Sequence, residues 1–340
     1  MHISKRLIHK PIKSKIASKK IKMNIVFLDG YTMQTSDDVL KALQQYGQLT
    51  IYDRTLNNHE IVERAANADI LIVNKTALNA DVLHQLPHLK LICVAATGYD
   101  KVDVATARQL NIPVCNCAGY SSTAVAQMAL SLLLEAADNV GYYTQQNHHG
   151  EWSACEDFCY TTRSRIDLVG KKVAIVGFGS IGHTLAQVLR PLGVKLYAVS
   201  SKPQSDLPSD VTKVELEAAF AQCDVVSLNC PLTNTNAGFV NAQLLTKAHP
   251  GLIIINTARG GLINEHDVAQ ALNNGTLGAY CTDVLTQEPP QPDCPILHAK
   301  NAYITPHIGW KTPETVHRIA DILADNIKAF IAGKPQSVVN

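Results

Sequence analysis

No apolar run in this sequence is long enough to cross a bilayer; the stretch Met128 to Leu134 stops at Glu135, so no membrane partner is expected. C-x-x-C spacing is absent as well. The nine cysteines (Cys93, Cys115, Cys117, Cys155, Cys159, Cys223, Cys230, Cys281, Cys294) have no histidines at matching distances, which argues against a zinc site. Most lie in apolar runs such as Leu91-Ile92-Cys93-Val94, where a thiol behaves as a small hydrophobe, and they predict reduced thiols in a cytoplasmic protein. There is no internal repeat and no low-complexity tract.

Negative charge is missing from the first 22 residues, which hold eight Lys or Arg and no acid. The whole chain carries +1, so residues 23–340 carry −7. A nucleic acid would have only the tail to bind, and none is expected as a partner. Residues 1–22 have no apolar run longer than two, unlike a secretory signal, and read as a disordered extension before a domain that begins at Met23.

What is present is an α/β pattern on a chain of 340 residues, enough for two domains. Strand-like runs at 25–28, 49–52, 70–73, 91–95 and 113–115 alternate with helical stretches. A second group follows at 173–176, 194–199, 225–229, 252–256, 279–283 and 302–305. Such alternation predicts two doubly wound parallel sheets. Between the groups lie a long helix over 122–137, with Ser and Thr as candidate caps, and an irregular segment over 147–165. A last helix over 314–331 has no strand of real length after it, so it is expected to pack back on another part of the molecule.

Gly177-Phe178-Gly179-Ser180-Ile181-Gly182 follows the run Val173-Ala174-Ile175-Val176 and opens a helix whose apolar face holds Ile181, Leu185, Val188 and Leu192. In that setting G-x-G-x-x-G is a dinucleotide fingerprint, since the glycines let backbone approach a pyrophosphate at a helix N-terminus. Ligands of open α/β sheets bind beyond the carboxyl ends of the strands. In the second group those ends carry Pro231, then Asn256-Thr257-Ala258-Arg259-Gly260, then Asp283 with Glu288, then Thr305-Pro306-His307-Ile308-Gly309-Trp310. An arginine, two acids and a histidine beside a dinucleotide suit hydride transfer to a carbonyl. The cation holds a carboxylate, the histidine exchanges the hydroxyl proton, and the acid orients the histidine.

These segments, in this order and spacing, resemble the D-isomer-specific 2-hydroxyacid dehydrogenases over residues 23–340. The resemblance implies two Rossmann-like or flavodoxin-like domains, with the cofactor domain inserted into the substrate domain. On that pattern 122–310 would bind the dinucleotide, and 23–121 with 311–340 would form the substrate domain. It further implies that Arg259 binds the substrate carboxylate, that His307 is the acid/base and that Glu288 is its partner. Gly177, Gly179, Ser180, Ile181, Gly182, Ser200, Pro231, Thr257, Ala258, Arg259, Asp283, His307, Gly309 and Trp310 would line the cofactor. Ala96, Thr97 and Gly98 would grip the substrate carboxylate through their backbone.

Within the family, Val94–Gly98, Gly119-Tyr120-Ser121, Gly150-Glu151-Trp152-Ser153 and His307–Trp310 are similar to glycerate dehydrogenases, also called hydroxypyruvate reductases. Phosphoglycerate or D-lactate dehydrogenases are alternatives, and a cofactor-sensing corepressor built on the same fold is a more distant one. Family precedent implies a homodimer, with Tyr142, Tyr143 and Trp152 offering apolar surface. The pattern departs at Ser200, where NAD-preferring members carry an acid for the ribose hydroxyls. Either NAD or NADP fits, and Ser200-Ser201-Lys202 lean slightly towards NADP because they suit a 2′-phosphate.

Overall fold

The computed structural model describes residues 23–33 and 37–340; the basic segment 1–22 lies outside the described residues. The chain divides into two compact units, one ending at Tyr120 and resuming at Lys311, the other spanning Ser121–Trp310. In the first unit the strands are β1 (Met23–Phe27), β2 (Gly47–Ile51), β3 (Ile70–Val73), β4 (Leu91–Val94) and β5 (Val114–Asn116). They are all parallel, in the order β2-β1-β3-β4-β5. Helices α1 (Asp37–Gln44), α2 (Asn58–Ala65), α3 (Ala80–His84) and α4 (Val104–Gln109) join them. Every residue of β3 and β4 is buried, as expected of parallel strands covered on both faces. Asn57, Asn79 and Asp103 start three of the helices by accepting the amide of the residue three positions on, which satisfies one of the first-turn donors.

The second unit opens with α5 (Ser122–Asp138) and α6 (Val140–His148). Then come β6 (Lys172–Val176), α7 (Ser180–Leu189), β7 (Lys195–Val199), β8 (Val211–Lys213), α8 (Leu216–Gln222), β9 (Val225–Leu228) and α9 (Ala242–Leu245). The unit closes with β10 (Ile253–Asn256), α10 (Glu265–Asn273), β11 (Ala279–Thr282) and β12 (Ala302–Ile304). The sheet is parallel, in the order β12-β11-β10-β9-β6-β7-β8. Strand order reverses between β6 and β9, and a crevice at such a switch point is where ligands bind. Two apolar layers hold the sheet. Ala129, Leu133, Leu185 and Leu189 cover Val173, Ile175 and Ile255 on one face, while Phe220, Leu244, Val268 and Leu272 cover Ala174, Val226 and Ile254 on the other.

Helix α11 (Pro313–Ile331) returns to the first unit, where it packs on α1, and Asn326 donates from Nδ2 to the Asn116 carbonyl at 3.0 Å. Beyond it only an isolated antiparallel bridge forms, Val338 with Cys115, and the Asn340 side chain bonds Val114 N and Ile112 O.

The structure differs from the sequence reading at three places. Strand β8 (Val-Thr-Lys) is too short and polar to announce itself, and α6 buries no residue and has no apolar stripe to read. At the start of α5 the cap position is Ser121, which makes no side-chain capping bond, and Ser122 Oγ lies 2.7 Å from Ser180 Oγ. All nine cysteines are free, and five of them are buried. Burial pushes the Cys115 and Cys223 thiols up to about 11, which keeps them protonated and inert near neutral pH. Among the described residues no helix is long and apolar enough to cross a membrane, and no group of His, Cys, Asp or Glu is arranged to hold a metal ion.

Candidate active site

The glycine turn after β6 is shaped by close approach. Gly177 has φ +93°, and a Cβ there would lie 2.7 Å from the backbone of Asn229 and Cys230 at the end of β9. A Cβ at Gly182 would lie 2.3 Å from the Gly177 carbonyl, so the third glycine lets α7 pack on the turn. Gly179 is different: a Cβ there would meet nothing within 4 Å, and the residue faces open space at the N-terminus of α7. Two side-chain oxygens on this sheet edge, Asn229 Oδ1 after β9 and Thr257 Oγ1 after β10, are buried without a partner. Buried polar atoms are ordinarily bonded, so these two, with an open glycine cradle at a helix N-terminus, fit a dinucleotide. Ser180 is exposed and Ile181 half-buried on the first turn of α7.

At the end of β7, Ser200 Oγ accepts the Lys202 amide at 3.1 Å. Lys213, on neighbouring β8, donates from Nζ to the Lys202 carbonyl at 2.9 Å. Ser201 and Lys202 are exposed beside them. Ser200, Ser201 and Lys202, with Lys213 beside them on β8, present hydroxyls and two cations. Pro231 is exposed after β9, and its carbonyl accepts Asn236 Nδ2 at 2.8 Å.

Arg259 follows β10. Buried Asn256 builds its loop, donating from Nδ2 to the Arg259 carbonyl at 3.0 Å and accepting the Ala258 amide at 3.1 Å. A Cβ on Gly260 would lie 2.0 Å from the Leu285 carbonyl carbon, so this loop and the one after β11 are pressed together. Glu288 projects from the second of these loops. Its Oε1 accepts the Leu285 amide at 3.0 Å, and its Oε2 is 2.6 Å from His307 Nδ1. The pair is partly open to solvent, with His307 at 26% and Glu288 at 37% side-chain exposure. With Nδ1 engaged as donor to the carboxylate, Nε2 is the ring nitrogen that can exchange a proton with a substrate. His307 itself takes φ +55°, a left-handed conformation rare for residues with a side chain.

Asp283 is buried and serves the same turn. Its Oδ1 accepts Thr305 Oγ1 at 2.6 Å and the Ile308 amide at 2.9 Å, and its Oδ2 accepts the Gly309 amide at 2.8 Å. Gly309 is buried, and a Cβ there would meet Asp283 Oδ2 at 2.9 Å; Trp310, half-buried, ends the unit. Fingerprint, arginine loop, acid and histidine thus stand on one edge of one sheet.

The corresponding edge of the five-stranded sheet holds Ala96, Thr97 and Gly98 after β4. They are tied to β5 by Thr97 Oγ1 to Cys117 O at 3.0 Å and Asn116 Nδ2 to Thr97 O at 2.7 Å. Sequence reasoning passed over Asp29, which ends β1 and is buried. It accepts the amides of Asn74, Lys75 and Thr76 and the Thr76 hydroxyl, fixing the loop after β3. It also passed over Asn256 and Thr305 as shapers of the Arg259 and His307 loops. An acid directly after an apolar strand was the available signal for Asp29; the other two reveal themselves only through long-range partners.

Residues 130–309 match the family described as D-isomer specific 2-hydroxyacid dehydrogenase, NAD binding domain. The chain is 39% identical over 321 residues to a hydroxypyruvate reductase of Blautia hydrogenotrophica, covering 94% of this chain and all of that one. It is 37% identical over 317 residues to a glycerate dehydrogenase of Methylorubrum extorquens, covering 93% and 98%. Among solved structures, an acyclic imino acid reductase in complex with NADPH and D-Arg superposes with a TM-score of 0.85 at 25% identity, over 94% of this chain and 100% of that one. The chain belongs to the D-isomer specific 2-hydroxyacid dehydrogenases and is an oxidoreductase of that family.

Proposed function

We propose that this enzyme reduces hydroxypyruvate to D-glycerate, with glyoxylate as a second substrate and His307 as the proton donor. The observation that carries the chemistry is the 2.6 Å His307–Glu288 pair on the same strand-end edge as Arg259. Reducing a keto group requires one proton at oxygen, and an imidazole backed by a carboxylate delivers it. The choice of substrate is supported by relatives named hydroxypyruvate reductase and glycerate dehydrogenase at 39% and 37% identity.

In this reading Arg259 pairs with the substrate carboxylate and orients the keto oxygen. The unit holding Ala96, Thr97 and Gly98 is the substrate domain, which those residues serve through their backbone. A bound nicotinamide supplies a hydride to C2. As C2 gains that electron pair, the carbonyl π pair moves onto oxygen, which takes the proton from His307 Nε2. Glu288 keeps the ring oriented. The residues that would hold the cofactor are Gly177, Gly179, Ser180, Ile181 and Gly182 at the glycine turn, with Pro231, Thr257, Ala258, Asp283, Gly309 and Trp310 along the edge. Purified protein given hydroxypyruvate and reduced cofactor is expected to yield D-glycerate; L-glycerate or a racemate would count against the reading.

NADP is the favoured cofactor, because Ser200, Ser201, Lys202 and Lys213 offer hydroxyls and positive charge where an acid would repel a 2′-phosphate. Placing that acid, Ser200→Asp, is expected to lower kcat/KM with NADPH relative to NADH by about tenfold or more, or ~1.4 kcal/mol. A wild-type enzyme already preferring NADH tenfold would end the phosphate-site reading. The protein is also read as a homodimer, since Trp152 at 54% exposure and Phe158 at 89% leave apolar surface on the segment after α6. Sedimentation as a species of one chain mass, 36.9 kDa, would contradict it.

A further inference from the structure

Asp283 is 3% exposed, and the three bonds given to its carboxylate come from neutral donors of a single five-residue turn. A buried carboxylate without a cation among its donors depends on each of those bonds, because losing one leaves charge desolvated and short of a partner. Two of the donors are backbone amides, of Ile308 and Gly309, which every replacement except proline keeps. The third is the hydroxyl of Thr305, at 2.6 Å.

The position of Thr305 explains what that bond does. Its amide donates to the Thr282 carbonyl at 2.9 Å, which anchors the start of the turn to the end of β11. Its carbonyl accepts the His307 amide at 3.0 Å across Pro306. His307, at φ +55°, is therefore held from both sides: by Thr305 before it and by the Ile308 and Gly309 amides after it, all converging on Asp283. Met128 of α5, with Sδ 3.8 Å from Thr305 Oγ1, packs against the same point. A left-handed histidine persists only where its surroundings over-determine it.

We propose that Thr305 is a positioning residue for proton transfer. Its hydroxyl, bonded to Asp283, closes the clamp that keeps the His307 ring against Glu288 with Nε2 presented to substrate. The assignment rests on His307 being the acid/base. It concerns the hydroxyl alone, because a methyl group can fill the same space and cannot donate.

The test is the near-isosteric Thr305→Val beside Thr305→Ser and His307→Gln, each in the full chain, with steady-state kinetics on hydroxypyruvate and separate titration of the reduced cofactor. Misplacing a reacting group by about 1 Å can cost about a hundredfold in rate. Thr305→Val is accordingly expected to lower kcat by about ten- to a hundredfold, while cofactor affinity changes less than about threefold. Thr305→Ser is expected to stay within about threefold of wild type.

A folded Thr305→Val variant with wild-type kcat overturns the proposal, as does Thr305→Ser losing as much activity as Thr305→Val. If Thr305→Val does not fold, the serine variant alone decides between hydroxyl and packing. His307→Gln at wild-type rate would remove the acid/base reading itself. An inactive His307→Gln with an unaffected Thr305→Val would remove only the role of Thr305.

Discussion

Replacing Arg259 by Ala is expected to lower kcat/KM for hydroxypyruvate by about a thousandfold, or ~4 kcal/mol, while leaving cofactor binding within a fewfold of wild type. Asn256 spends both ends of its amide on residues 258 and 259, and Gly260 is pressed against the loop after β11, so the arginine backbone is fixed before substrate arrives. The guanidinium is itself tied to this loop, with Nη1 donating to the Ala258 carbonyl at 2.7 Å, and its planar fork matches the two oxygens of a carboxylate. Lysine, a single point charge without the planar fork, is expected to recover only a small part of the loss. Substrate titrations of the Ala and Lys variants at saturating cofactor measure both effects; an Arg259→Ala variant within about fivefold of wild type would remove the arginine from the site.

The second large effect belongs to His307. A positioned general acid contributes roughly a hundred- to ten-thousandfold, and Gln preserves bulk while offering no proton to release. His307→Gln is therefore expected to lose activity in that range and still bind the reduced cofactor. Reduction takes a proton from the ring and oxidation of D-glycerate returns one to it, so the Gln variant should lose rate in both directions. A variant that keeps the wild-type rate in either direction would place the proton donor elsewhere.

Much of this was legible in sequence for a physical reason. Parallel strands buried on both faces are continuous apolar runs, and the glycine fingerprint marks a turn that other residues cannot make. The runs at 173–176 and 253–256 and the turn at 177–182 therefore stand out. Elements without such a signature did not. Strand β8 gains its place by pairing with β7, and α6 lies on the surface with no apolar stripe. The clamp on His307 joins residues 22 to 26 positions apart through one carboxylate, and Asp29 reaches a loop 45 residues away. Spacing along the chain shows that Asp283 and His307 are present, and only the folded edge shows that one organises the other.

Initial rates of reduced-cofactor oxidation by the purified protein with hydroxypyruvate, glyoxylate and pyruvate, each with NADH and NADPH, decide the substrate and the cofactor together. The highest kcat/KM is expected for hydroxypyruvate, a lower value for glyoxylate, and the better rate with NADPH. Reduction of pyruvate or glyoxylate far faster than hydroxypyruvate would rule out a hydroxypyruvate reductase.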